Sequence, residues 1–333
     1  MGKLGQVESK IDYWEFTVPY QQADRLGAVF PGGREVRRNE RGDLRGWRGY
    51  THSADLAVGS GLVGWSPARQ EMGVHVSLSG EALALLAGNA DPWGDLPAMI
   101  AFIHDDLGGH TTRLDCAFDD KIGLLDLDLV GEALRSGDFV ARWKDWKYYQ
   151  SSKGGVLGET YYLGSGRSDS QLRVYDKRAE RLQKGHGEQV EGVPHWIRVE
   201  LQLRRKRAHA AAVEVKAAGA RVWWHLAGVL RGMVEFKQPG TSSQKTRWEP
   251  AAWWLRFLGG VEKARLVVDR QVRTLDNVRS WVLGQVAPSL AVLEQGMGFD
   301  AAWSFLYQVA QEGHKRLGPR HRAIIAAGAL VGA

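Results

Sequence analysis

The chain has 333 residues, 44 Lys and Arg against 38 Asp and Glu, a formal net charge of +6, and 44 % apolar residues. That length suits one large or two ordinary domains with a sizeable core, and 25 % charged residues is unlike a wholly disordered chain. A single cysteine, Cys116, excludes a disulfide framework and a cysteine-rich zinc site. The longest apolar stretch, Ala323–Ala333 with its glycine breaks, is far short of the roughly 20 residues that span a bilayer. The first ten residues carry no apolar signal core, so a soluble, cytoplasmic protein with no membrane partner is expected.

In chain order, Ile11–Val18 (IDYWEFTV) is rich in β-branched and aromatic residues and reads as a strand. The stretch from Gly32-Gly33 to Gly46 is polar and glycine-rich, a loop or hairpin tip. Gly46–Leu56, Gly61–Trp65 and Gly73–Leu78 are short strand candidates, and Glu81–Leu86 and Leu96–Leu107 carry helical spacing. From Thr111 to about Arg207 strands dominate, with one helix candidate at Asp128–Ser136. After Pro239 the polar run Gly240–Thr246 reads as a linker. Helical patterns follow at Trp254/Phe257/Leu258/Val261, Val272/Leu275/Val278/Val282 and Phe299/Trp303/Leu306/Ala310.

Three segments alternate strictly. In Arg113–Asp119, Leu114, Cys116 and Phe118 share one face while Arg113, Asp115, Ala117 and Asp119 share the other, because strand side chains alternate with period two. In Leu172–Lys177, Arg173, Tyr175 and Lys177 oppose Leu172 and Val174. In Arg198–Arg204, the polar set is Arg198, Glu200, Gln202 and Arg204. Paired in one antiparallel sheet, these strands collect Asp115, Glu200, Gln202 and Tyr175 among Arg113, Arg173, Lys177 and Arg198. Carboxylate and amide oxygens suit Mg²⁺ or Mn²⁺, guanidinium groups suit phosphate, and a phenol can serve as a nucleophile. A solvated sheet face with cross-strand Arg–Asp and Arg–Glu pairs has the same pattern. The Gly164-Ser165-Gly166-Arg167-Ser168 loop before the tyrosine strand is either a phosphate-approaching loop or an ordinary hairpin.

The charge is uneven. Residues 140–210 hold 15 Lys and Arg against 8 Asp and Glu, a local +7, and the remainder sums to −1. Clustered cations suit a polyanion, and Arg204, Arg205, Lys206 and Arg207 in a row suit backbone phosphates; a solvated enzyme face explains the cluster equally well. Lys147-Tyr148-Tyr149, Trp143 and Trp146 have the composition of a base-stacking surface, although core or amphipathic packing is the commoner fate of such residues. Asp119 is a further ligand or an arginine's partner, Asp120 reads as a turn residue, and His195 as a hydrogen-bonded one.

At these residues the sequence resembles the replication initiation factor family, the trans-acting initiators of rolling-circle plasmids and filamentous phages, related to relaxases of integrative conjugative elements. The resemblance rests on Y-L-G-S-G-R-S-D-S-Q-L-R-V-Y-D-K (Tyr162–Lys177), with I-D-Y-W-E-F-T-V (Ile11–Val18), V-H-V-S-L-S-G-E-A (Val74–Ala82), R-L-D-C-A-F-D-D (Arg113–Asp120), R-V-E-L-Q-L-R (Arg198–Arg204) and R-T-L-D-N-V-R-S-W (Arg273–Trp281) in order. It implies a DNA nickase and strand transferase acting at an origin through a 5′-phosphotyrosine. In that role Tyr175 is the nucleophile, and Asp115 and Glu200, with Gln202 beside them, hold Mg²⁺ or Mn²⁺. Arg167, Arg173 and Lys177 are the implied phosphate contacts. Many relatives read G-S-R-x-S where this chain has Gly166 ahead of Arg167. No His-hydrophobic-His triplet occurs among the ten histidines, so any metal rests on carboxylates.

The expectation is therefore an α+β protein, with an antiparallel-sheet nicking core and flanking helices over residues 1–238 and a helical C-terminal region over 247–333. Its partner is origin DNA, single-stranded or hairpin with flanking duplex, contacted by Arg113, Arg167, Arg173, Lys177, Arg198 and Arg204–Arg207. A host helicase and a second copy of the chain stay open as further partners. A conjugative relaxase and a non-catalytic origin-binding protein are the alternatives.

Overall fold

In a computed structural model of the chain, residues 2–4, 6–30, 35–39, 41–87, 95–266 and 275–329 are described. Gly32, Gly33, Val272 and the Arg273-Thr274 start of the last motif lie outside them. The chain divides into two compact units, Met1–Val268 and Asp269–Ala333.

The first unit is built on one antiparallel sheet. Its strands are β1 (Gly2–Leu4), β2 (Val7–Val18), β3 (Glu35–Val36), β4 (His52–Asp55), β5 (Leu62–Trp65), β6 (Val74–Ser79) and β7 (His110–Asp120). A short β8 (Phe139–Ala141) comes next, and then β9 (Trp146–Lys153), β10 (Val156–Leu163), β11 (Ser170–Asp176), β12 (Ile197–Arg204) and β13 (Val234–Phe236). The spatial order is β3-β4-β5-β6-β2-β7-β12-β11-β10-β9, with β1 added to β2, while β8 and β13 form a separate pair. The three alternating segments thus become adjacent central strands, β7-β12-β11.

Alternation sorts their faces as the period requires. Leu114, Cys116, Phe118, Leu172, Val174, Val199, Leu201 and Leu203 are all buried in one core with Trp14 and Phe16 of β2. The helices of this unit are α1 (Ala23–Val29), α2 (Gly80–Leu86), α3 (Leu96–Ala101), α4 (Leu127–Ser136), α5 (Lys177–Gln183), α6 (Arg205–Ala218), α7 (Val222–Met233) and α8 (Ala252–Phe257). Helix α6 packs on β7 and β12 through a small-residue face of Ala208, Ala211, Ala212 and Val215. Helix α4 shows why these boundaries fall where they do. Asp126 caps its N-terminus by accepting from the Asp128 amide, and Gly137 ends it in the left-handed region at φ 69°.

Two expectations change. The Leu96–Leu107 helix breaks after Ala101 into one wide π turn, Phe102–Asp106. The expected boundary at 238 falls inside the first unit, because the segment beyond it is tied back. β13 pairs with β8, and Trp254 of α8 packs its ring 5.1 Å from that of Phe236 and is fully buried. Among the described residues, the second unit contains α9 (Leu275–Trp281), a π turn at Val282–Val286, α10 (Ala287–Met297), α11 (Phe299–His314) and α12 (Pro319–Ala329). Among the described residues, no helix is long and apolar enough to cross a membrane.

Candidate active site

The register brings the polar residues of the central strands into rows. Gln202 lies opposite Asp115 on one side and Gln171 on the other; Glu200 lies between Ala117 and Arg173; Arg198 lies between Asp119 and Tyr175. The face is not a solvated one. Asp115 and Glu200 are each 1 % exposed and Tyr175 is 7 % exposed.

Asp115 accepts from Arg113 Nε at 3.0 Å and Nη2 at 2.5 Å, and from the Gln202 amide at 3.0 Å. Burial outweighs that pairing and, with the charge of Glu200 nearby, pushes the Asp115 carboxyl up to about 6. Glu200 accepts from Arg173 through one oxygen and from the Tyr175 hydroxyl, at 3.2 Å, through the other. Burial, reinforced by the charge of Glu200, drives the Tyr175 pKa well above the ordinary phenol value. The tyrosine is therefore a neutral phenol whose proton already points at a carboxylate.

Strand β11 runs straight into α5, and Asp176 caps that helix by accepting from the Ala179 amide at 2.7 Å. This junction turns Lys177 back toward the tyrosine ring, 5.6 Å from its centre, with the Arg173 guanidinium at 5.3 Å. Lys177 also pairs with Glu180 at 2.7 Å, and burial lowers its pKa to about 8. A cavity of about 760 Å³ opens over this group, walled by Lys10 and Asp12 of β2, by Arg173, Tyr175 and Lys177, and by Arg181 of α5. Asp115, Glu200 and Gln202 are not among its lining residues.

Arg198 departs from expectation. It is fully buried, donating to Asp119 at 2.6 and 2.8 Å and to Asp12 at 2.8 Å, so its guanidinium is a structural tie and not a phosphate contact. Asp119 is accordingly an arginine's partner. Asp120 accepts the amides of Ile122, Gly123 and Leu125 in the following turn and contacts His195 at 3.2 Å. Arg167 lies exposed in a turn in which Ser165 accepts from Ser168. Arg204–Arg207 start α6 at the same end of the sheet, where Arg205 pairs with Asp169 at 2.8 Å. That cluster stands about 13 Å along β12 from the level of Glu200, four residues at the strand rise. Trp143 does not present its ring to solvent; it is buried, and its Nε1 donates to the Ser170 carbonyl at 2.9 Å.

Asp12, Glu15 and Glu180 are acidic neighbours of this group that the three alternating segments do not include. Glu15 is buried opposite Arg113 and takes Arg48 at 2.6 Å, a position its alternation with Trp14 and Phe16 signals. Glu180 follows Lys177 at helical spacing. Asp12 has the parity of core residues, and a register shift between Ile11 and Tyr13 brings it to the polar side. Among the described residues, no group of three or more His, Cys, Asp or Glu side chains has the geometry of a metal site. A hard-oxygen set of Asp115, Glu200 and the Gln202 amide is the donor chemistry present, and a carboxyl raised to about 6 by burial and a like charge is one a cation would relieve.

Fold and site together define an α+β protein whose broad antiparallel sheet carries a buried tyrosine, paired carboxylates and a cationic cavity on one face. The chain belongs to the replication initiation factor family, whose model matches residues 109–307. It is similar to the putative DNA relaxase NicK of Bacillus subtilis (strain 168), 25 % identical over 189 residues that make up 56 % of this chain and 53 % of the relative. The chain thus spans about half the length of that relative. Among solved structures it is similar in fold to a rolling circle replication initiator protein from Geobacillus stearothermophilus. The TM-score is 0.65 at 23 % identity, over 79 % of this chain and 100 % of the other.

Proposed function

We propose that this protein is a rolling-circle replication initiator that nicks and transfers a DNA strand at an origin, with Tyr175 as nucleophile. The observation that carries the reading is that Tyr175, which lines a cavity shared with Lys10, Arg173, Lys177 and Arg181, donates its hydroxyl proton to the buried Glu200 beneath it. Family membership and the similarity to a relaxase and to an initiator support the same reaction class.

In the proposed step the phenol oxygen attacks phosphorus, and its proton passes to Glu200. The bond from phosphorus to the 3′-oxygen breaks, and that oxygen leaves as a hydroxyl with a proton from solvent. The products are a 5′-phosphotyrosine and a free 3′ end. Arg173 and Lys177 face the phosphate, and Arg113, Arg167 and Arg204–Arg207 hold the flanking backbone. Asp115 and Glu200, with Gln202, would hold Mg²⁺ or Mn²⁺, which when bound supplies a Lewis acid for a phosphate oxygen. Arg113 and Arg173 are their present partners, so these arginines must yield part of their hydrogen bonding for a cation to reach the carboxylates.

The test uses single-stranded oligonucleotides tiling the DNA around the protein's own gene, 3′-labelled, with Mn²⁺ or Mg²⁺. A labelled covalent adduct is expected from the wild type and none from Tyr175→Phe; adduct from the variant at wild-type level overturns the proposal. Asp115→Ala and Glu200→Ala should abolish cleavage and keep DNA binding. A conjugative relaxase shares this chemistry, and the similarity to NicK favours keeping it as the second reading. Autonomous replication of a plasmid carrying the nicked sequence, without mobilisation between cells, distinguishes the initiator.

A further inference from the structure

The nucleophile's face continues across β10 to the edge strand β9, where its character changes from cationic to aromatic. The register lines up Lys147, Tyr162, Arg173 and Glu200 in one row, and Tyr149, Thr160 and Tyr175 in the next. Tyr149 and Tyr162 are diagonal neighbours on that face, with ring centres 5.4 Å apart and planes at 87°. Tyr149 is 55 % exposed on the outermost strand. A second cavity of about 320 Å³ opens here, lined by the two tyrosines, Lys147, Gln171 and the Gly164-Ser165-Gly166 segment. Tyr162 borders both this cavity and the one over Tyr175.

An exposed aromatic on a solvated edge strand needs no ligand. This one differs in what surrounds it. Two rings meet edge to face, so that a flat ring can lie on one and abut the other. Lys147 and Arg173 flank Tyr162 on the two neighbouring strands, cations of the kind that track a nucleic-acid backbone. The cavity is of the size that takes a small aromatic ligand. The same cavity is bordered by a Gly-Ser-Gly backbone that permits close approach. Tyr175 lies two strands from Tyr149, about 10 Å at the inter-strand spacing.

We infer that Tyr149 and Tyr162 form a stacking subsite for an unpaired nucleobase next to the scissile phosphate, with Lys147 on the adjoining backbone phosphate. The inference rests on the nicking reading for its placement relative to the reaction, and it adds a base-binding site on β9 and β10. The occupant is single-stranded DNA, because a base within a duplex has both faces covered by its neighbours and cannot offer one to Tyr149. Sequence preference at this subsite is weak, since stacking accepts any base.

The experiment uses the full chain with a thymidine oligonucleotide carrying one central 2-aminopurine, whose fluorescence stacking quenches. The wild type, Tyr175→Phe and Tyr149→Phe should all quench it. Tyr149→Leu should lose the quench and bind about five- to a hundredfold more weakly. Lys147→Ala should keep the quench and lower the slope of log affinity against log salt by about 0.7. The same oligonucleotide annealed to its complement should show no Tyr149-dependent quench. Quenching and affinity unchanged in Tyr149→Leu, or a quench equal on duplex, overturns the subsite. A subsite intact in a protein that forms no DNA adduct removes the nicking reading alone; adduct formation without Tyr149-dependent quenching removes the subsite alone.

Discussion

Arg198→Met removes the cation at the centre of the site's supporting network. Two carboxylates lose their partner, and they are not equivalent. Asp119 is 2 % exposed and accepts two of the three hydrogen bonds from Arg198, while the Asp12 side chain is 23 % exposed and can recover water. Stranding one buried carboxylate costs about 3–5 kcal/mol, and the larger part of that falls on Asp119. At a urea m-value of about 2–3 kcal/mol per molar, the midpoint drops by about 1–2 M. Tryptophan fluorescence follows the transition, since Trp14 lies fully buried in the same core. The double variant Arg198→Met with Asp119→Leu removes the buried pair and should regain at least half of the loss, because only the partly exposed Asp12 loses a partner, and it keeps Lys10 at 3.6 Å. A loss below about 1 kcal/mol in the single variant, or a double variant no more stable than the single, refutes the reasoning.

Asp115 has its pKa raised from 3.8 to about 6, so the fold favours its protonated form and its own contribution to stability falls as pH rises from about 4 to 6, by up to about 3 kcal/mol. His75 and His104, lowered to about 4 by burial, act in the opposite sense, so the measure is the difference: in EDTA the stability of the wild type relative to Asp115→Asn should fall across that range, and a constant difference contradicts the assignment. Lys177, lowered from 10.5 to about 8 by burial, loses its charge earlier than an exposed lysine. The salt slope of single-stranded DNA binding should therefore drop by about 0.6 between pH 7 and pH 9, and the drop should be absent in Lys177→Met. Gly164 has φ +85°, and a β-carbon there would stand 2.3 Å from Trp143. Gly164→Ala should cost about 2–4 kcal/mol in urea unfolding, and a loss under about 1 kcal/mol would count against the packing described.

The polar face was readable because three short segments alternate without error, and an antiparallel pairing of them puts Tyr175, Glu200 and Asp115 on one side. Period two assigns a face but not a partner, which is why Arg198 looked the same as Arg113 and Arg173. Its burial depends on Asp119 and on Asp12, and Asp12 arrives through a bulge that no alternation shows. The extent of the first unit, Met1–Val268, is hidden in the sequence for a similar reason. Trp254 and Phe257 have helical spacing, and spacing does not say that their helix packs on Phe236. Tyr149 is marked by its composition beside Lys147 and Tyr148; that it shares a face with Tyr162 is set by the pairing of β9 with β10.

Tyr175 is carried by an interior strand, hydrogen-bonded to neighbours on both sides, and its hydroxyl is fixed to a buried carboxylate. A nucleophile on a loop can travel between two phosphates; one set in the middle of a sheet cannot. On the proposed reaction, the DNA must do the travelling. The joined 5′ end is pinned at a fixed point while the free 3′ end is extended, and any rejoining has to deliver a new strand end to the same few ångströms. The sheet then acts as a stationary anchor about which the displaced strand moves, and the timing of closure is set by the geometry of the DNA.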